Sequence, residues 1–113
     1  MSANTPEGKV KKKIDAILKP YKASGQLWYT KTAGSMFGTN GVPDYVCCIR
    51  NNRLTERGGF EHRFFTIEAK AGAGKPTALQ NAQMDDIERA GGVCLVINET
   101  NLEELKDFLS AHS

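Results

Sequence analysis

The feature that most constrains this chain is Val93 to Ile97, VCLVI, an unbroken apolar run between Gly91-Gly92 and the polar segment NET. An apolar run of strand length with no polar alternate is expected of a strand buried on both faces, and such a strand needs helices above and below its sheet. The flanking segments can supply them. Thr77 to Ala90 places Leu79, Ala82, Ile87 and Ala90 on one helical side and ends at the glycine pair. Beyond the apolar run, Thr100 and Glu103 have the spacing of a capping box and open a helix that buries Leu102, Leu105 and Leu109.

The earlier part of the chain adds a helix and three strands. Thr5-Pro6 is a helix start: a hydroxyl caps free N–H groups, and proline takes the first helical position, where its missing donor does no harm. Val10, Ile14, Ile17, Leu18 and Tyr21 form the buried stripe, Glu7 heads that stripe, and Pro20 and Gly25 mark the end. Gln26 to Thr32 has strand composition, and AGSMFGTNG, with Gly34, Gly38 and Gly41, is expected to be an irregular loop ending at Pro43-Asp44. Tyr45 to Ile49 and Phe64 to Ala69 are two further strands, forming a hairpin across the polar turn region NNRLTERGG. The expected order is α-β-β-β-α-β-α around a mixed sheet, an α/β fold in one domain spanning residues 1–113.

Composition narrows the class. Hydrophobic and charged fractions of 40% and 25% are ordinary for a globular protein, and no segment has the layout of a signal peptide or membrane span. A cytoplasmic protein without membrane contact is the expectation. Cys47, Cys48 and Cys94 lie in apolar runs without zinc-site spacing and read as buried free thiols. A net charge of +2 says little about partners, but Lys9, Lys11, Lys12, Lys13, Lys19, Lys22 and Lys31 face only Asp15 between residues 9 and 31. Such a run is either a solvated helix face or a positive field for a polyanion.

The chemistry concentrates in GVPDYVCC and FFTIEAKAG. Asp44 stands at the start of one strand and Glu68 near the far end of the next, so antiparallel pairing would bring the two carboxylates together. Paired carboxylates repel and lose hydration unless a cation lies between them, and a hard, oxygen-seeking ion such as Mg²⁺ suits that place. Lys70, two residues beyond Glu68, falls on the same strand face. Two acids, a metal and an ammonium suit phosphodiester hydrolysis. Each part also has a plain structural reading: Asp44 as a turn former after proline, Glu68 with Lys70 as a strand-end ion pair, and Glu7 as favourable charge at a helix N-terminus.

These residues resemble the PD-(D/E)XK nuclease superfamily and, more closely, its VRR-NUC family. The resemblance covers most of the chain: Glu7 in an opening helix, the Pro-Asp pair, the Glu-Ala-Lys strand, Gln80 at the next helix start and the strand after it. It implies a restriction-endonuclease-like core, with Mg²⁺ or Mn²⁺ held by Glu7, Asp44, Glu68 and the backbone carbonyl of Ala69. Asp44, Glu68, Lys70 and Gln80 would be catalytic, Lys70 serving the attacking water. It also implies DNA as partner, held by Lys11, Lys12, Lys31 and Lys75. Stand-alone members of phage or bacterial type look like homodimeric Holliday-junction resolvases, whose two-fold symmetry suits a branched substrate. A monomeric nickase or flap endonuclease and a non-catalytic DNA-binding module are the rival readings.

Two local ambiguities remain at this level. Thr77 with Gln80 is itself a capping-box spacing, and Gln83 is a second candidate for the functional glutamine, though the distance of Gln80 from Lys70 follows the family pattern. AGAGKPT imitates a phosphate-binding P-loop, but Ala69 stands where its first glycine belongs and Pro76 where its Ser or Thr belongs, which excludes that motif.

Overall fold

In the computed structural model, which describes residues 5–36 and 38–113, the chain is an α/β fold with a mixed sheet and three helices. Helix α1 (Pro6–Ala23) starts as its sequence demands: the Thr5 hydroxyl accepts from the Gly8 N–H at 2.9 Å, and Pro6 takes the first turn. Pro20 does not stop it. It lies in the last turn, where one missing N–H removes little, and the helix runs on to Ala23.

Strand β1 (Leu27–Lys31) pairs antiparallel with β4 (Tyr45–Leu54), β4 pairs antiparallel with β5 (Phe60–Ala69), and β5 pairs parallel with β6 (Val93–Ile97). Between β1 and β4 lies a small antiparallel ribbon, β2 (Ser35–Met36) with β3 (Thr39–Asn40). The glycine-rich segment is therefore more regular than its composition suggests. Its glycines provide turns at Gly34, Gly38 and Gly41, all at positive φ, and leave two residues on each side to pair. The β4–β5 hairpin is longer than the two apolar runs, because pairing continues into the polar residues on both sides of the turn.

Alternation along the strands divides the sheet into two unlike faces. Tyr45, Cys47 and Ile49 of β4, Phe65, Ile67 and Ala69 of β5, and Ile97 of β6 are buried on one face, with Val10, Ile14 and Leu18 of α1 and Leu105 and Leu109 of α3 (Leu102–His112) in the same core. Helix α2 (Ala78–Arg89) packs on the other face near β6, where Met84 is buried and the Cys94 thiol approaches the Met84 carbonyl at 3.6 Å.

Three expectations fail here. Strand β6 is an edge of the sheet, with Val96 exposed, so its apolar run is not buried on both faces. On α2, Leu79, Ala82 and Ala90 are exposed and Met84 carries the packing, since α2 covers only part of its face. The Thr100–Glu103 capping box does not form: Asn101 is the N-cap, and the Thr100 hydroxyl bonds to the Asn98 carboxamide at 2.7 Å instead. All three cysteines are free thiols, as expected, but only Cys47 is fully buried.

Candidate active site

The site forms where β4 begins, β5 ends and α2 starts. The β4–β5 register sets Tyr45 opposite Ile67, and one more step sets Asp44 opposite Glu68, as antiparallel pairing requires. Thr32 pins this corner: its N–H donates to the Asp44 carbonyl at 2.9 Å and its hydroxyl to the Pro43 carbonyl at 2.6 Å. Sequence reasoning passed over Thr32, because a threonine at a strand end carries no signal until its partner is in view.

Asp44 and Glu68 are both buried, at 8% and 2% exposure. Asp44 Oδ2 accepts the Ala69 N–H at 2.8 Å, so the middle residue of Glu-Ala-Lys holds the aspartate in place. Asp44 Oδ1 lies 3.4 Å from the Lys11 ammonium, which reaches in from α1. Glu68 Oε2 lies 3.4 Å from the Lys70 ammonium and accepts from Gln80 Nε2 at 3.0 Å. Glu68 Oε1 is buried with no hydrogen-bond partner among the described residues. Burial, first, and the Asp44 charge, second, push the Glu68 carboxyl up to about 7, while the Lys70 ammonium pulls the other way.

Gln80 serves in two places. Its backbone N–H donates to the Thr77 hydroxyl at 3.2 Å and its side-chain oxygen accepts the Thr77 N–H at 2.8 Å, completing the capping box. Its amide nitrogen is then left to reach Glu68. The helix cap and the contact with Glu68 form together, whereas Gln83 donates to the Asn40 carbonyl at 3.5 Å. Gly41 gives α2 the room it needs: at φ +81° it lies so close to the first turn that a Cβ there would stand 2.6 Å from Leu79 Cγ.

Glu7 is half-buried and lines a cavity of ≈ 540 Å³ together with Lys70 and Lys75. It faces the lysine side of the site, apart from the two paired acids, and among the described residues no group of three or more His, Cys, Asp or Glu side chains gathers around one point. The lysines divide. Lys11 is the counter-ion of Asp44 and largely covered; Lys31 pairs with Asp15 at 2.6 Å; Lys12 and Lys75 are exposed. Asp15 also accepts from the Tyr45 hydroxyl at 2.7 Å, a buried link between α1 and β4 that keeps Lys11 over the site. No helix among the described residues is long and apolar enough to cross a membrane.

Two carboxylates and two ammoniums thus meet at one corner, with one carboxylate oxygen left bare. That donor set fits a divalent cation: it offers hard oxygen ligands, and a cation would relieve the bare Oε1 and offset the burial and, second, the Asp44 repulsion that raise the Glu68 carboxyl. Comparison with known proteins returned nothing: no family model, no curated protein and no solved structure matches the chain.

Proposed function

We propose that the chain is a metal-dependent DNA endonuclease of the PD-(D/E)XK kind, with a restriction-endonuclease-like core and closest in pattern to the VRR-NUC family. The observation that carries the reading is the convergence of Asp44, Glu68, Lys70 and Gln80 at one corner, with Glu68 Oε1 buried and bare. A structural ion pair accounts for Glu68 with Lys70 but not for a second buried carboxylate beside it, because paired buried acids repel and lose hydration unless a cation lies between them.

In this reading Asp44 and Glu68 would hold Mg²⁺ or Mn²⁺, with the Ala69 carbonyl and Glu7 as further ligands. When bound, the ion lowers the pKa of a coordinated water and neutralises charge developing on the phosphate. The protein groups do the rest. Lys70 donates hydrogen bonds to the attacking water and fixes its approach; Gln80 keeps the Glu68 carboxylate in one orientation; Asp44 is held by the Ala69 N–H. Lys11, Lys12, Lys31 and Lys75 supply phosphate contacts, with affinity that falls as salt rises.

Branched DNA, and a Holliday junction in particular, is the proposed substrate, with two copies of the chain placing two sites on symmetry-related strands. The test is incubation of the purified protein with four-way junction, flap, splayed-arm and linear duplex DNA in Mg²⁺, Mn²⁺ or EDTA. Metal-dependent cutting that disappears in Asp44→Asn and Lys70→Ala is the expected result; cutting that survives both changes refutes the assignment. Preference for flaps by a monomer would move the substrate reading to a flap endonuclease on the same site.

A further inference from the structure

The sheet face that α1 and α3 leave open carries three exposed aromatic rings: Trp28 at 60%, Phe60 at 45% and Phe64 at 44%. Their placement follows from register. Trp28 pairs with Cys48 and Cys48 with Phe64, so the tryptophan and the phenylalanine stand in one row, about 10 Å apart at the usual strand spacing. Phe60 lies four residues away on β5, roughly 13 Å along the strand and on the same face. Helix α2 covers the β6 side of this face, which leaves the row from Trp28 to Phe64 open to solvent.

Charge is sorted around the rings. Four of the five arginines, Arg50, Arg53, Arg57 and Arg63, lie on the β4–β5 hairpin with Glu56 and Glu61; Arg50 shares the face of the rings, its guanidinium 4.9 Å from the centre of the Phe60 ring, whereas Arg63, opposite Ile49, and Glu61 fall on the other face. His62 stands opposite Arg50. The strands place no carboxylate on this face except Asp44 and Glu68, both buried in the candidate site. Acids Asp85 and Glu88 of α2 act on Cys94 and bank the face on its β6 side.

We propose that this face binds an unpaired DNA strand running from the β4–β5 hairpin toward Glu68, with bases stacked on Phe60, Phe64 and Trp28 and phosphates on the hairpin arginines. The inference rests on the nuclease reading for the choice of DNA and adds the feature recognised: a single-stranded segment beside the cut. Aromatic platforms with interleaved cations are how unpaired strands are held without sequence preference, since every base offers a π-face and a guanidinium stacks on ring and base alike. A second copy of the chain fits the face less well. A polyanion meets the Arg50 guanidinium beside Phe60 with opposite charge, a complement that a second copy of this same face does not offer.

Trp28 is the sole tryptophan, so indole emission, excited at wavelengths where the three tyrosines do not absorb, reports this face alone. The full-length protein in EDTA, which prevents cutting, is titrated with an oligothymidylate, an abasic strand of equal length and a blunt duplex. Saturable quenching by the oligothymidylate, much weaker quenching by the other two, and about ten-fold weaker binding in Phe64→Ala and in the surface variant Arg50→Ala are expected. Equal quenching by the abasic strand, or none at all, overturns the proposal. So does a concentration-dependent emission shift in DNA-free protein that Phe64→Ala abolishes, because a second copy then covers the face. Quenching and metal-dependent cutting by the parent protein separate the two readings: a parent that quenches but never cuts refutes the nuclease alone, and one that cuts without quenching refutes only the stacking face.

Discussion

Substituting Glu68 by glutamine tests whether the site is built around a missing positive charge. The variant keeps the shape and removes the ionisation. In the metal-free fold the Glu68 carboxyl is carried from 4.5 to about 7 by burial and by Asp44. At 1.36 kcal/mol per pH unit, the native state therefore resists its ionisation by about 3 kcal/mol. The sign follows from linkage: the folded protein holds this proton more tightly than the unfolded chain, so the contribution is fully present below pH 4.5, declines between 4.5 and about 7, and is gone above that. Glu68→Gln has no such decline. In EDTA it should match the parent at pH 4.5 and exceed it by up to about 3 kcal/mol at pH 8, on the order of 10 °C in melting temperature for a domain this size. Titrations of groups away from the site cancel in the difference. Millimolar Mg²⁺ should close or invert the gap at pH 8 by stabilising only the parent. Denaturant melts at both pH values decide the matter, and a gap that does not change with pH refutes the reasoning.

The remaining predictions probe the neighbours of Glu68. Lys11→Met removes the cation 3.4 Å from Asp44, and calorimetry on DNA-free protein should show Mg²⁺ binding tightened by about ten-fold, since ion and ammonium compete for one carboxylate; unchanged affinity would separate Lys11 from the site. Gln80→Glu keeps the oxygen that accepts the Thr77 N–H but loses the donor to Glu68, so it should fold normally at pH 5 and lose about 1 to 2 kcal/mol at pH 8. Gln80→Ala loses both contacts and should be weaker at either pH, which paired melts would resolve. Gly41→Ala puts a Cβ 2.6 Å from Leu79 at a positive φ, a cost of roughly 1 to 3 kcal/mol readable as a lowered melting temperature. Glu7→Gln should weaken Mg²⁺ binding and leave the melt unchanged; equal affinity would return Glu7 to the role of favourable charge at a helix N-terminus.

Much of the fold was legible because it depends on local spacing. The α1 cap at Thr5, the stripe Val10, Ile14 and Leu18, and the strand pair containing Tyr45 and Phe65 follow from periods of 3.6 and 2, which the chain satisfies before any tertiary contact forms. The misreadings are equally physical. Continuous apolarity was taken to mean cover on both faces of β6, yet a strand can be that apolar at a sheet edge when one helix packs on part of it. Thr100 carried the right spacing for a cap and lost to Asn101, whose side chain bonds both to the Asn98 N–H at 2.7 Å and to the Val96 carbonyl at 2.9 Å. Competition of that kind is settled by where the preceding strand ends, which no spacing rule contains.

The candidate site was legible for a different reason, and the reason marks its limit. Asp44, Glu68 and Lys70 could be paired from sequence because a hairpin converts separation along the chain into opposition across it, and alternation then puts Glu68 and Lys70 on one face. Lys11 could not be placed that way. Among seven lysines in one segment nothing singles it out, and it reads as one more solvated charge until the Tyr45–Asp15 link draws that turn of α1 onto the mouth of β4. Its position changes what the site is before any ion arrives: two acids face two ammoniums, so that with both carboxylates ionised the corner is neutral in place of acidic. A dication entering a neutral corner leaves excess positive charge, and the natural relief is an anion. Metal and phosphate should therefore strengthen each other's binding, which a site of bare carboxylates would not require. Calorimetry with Ca²⁺ in the presence and absence of a DNA strand measures that coupling directly, and reciprocal tightening that disappears in Lys11→Met is the outcome this charge arrangement demands.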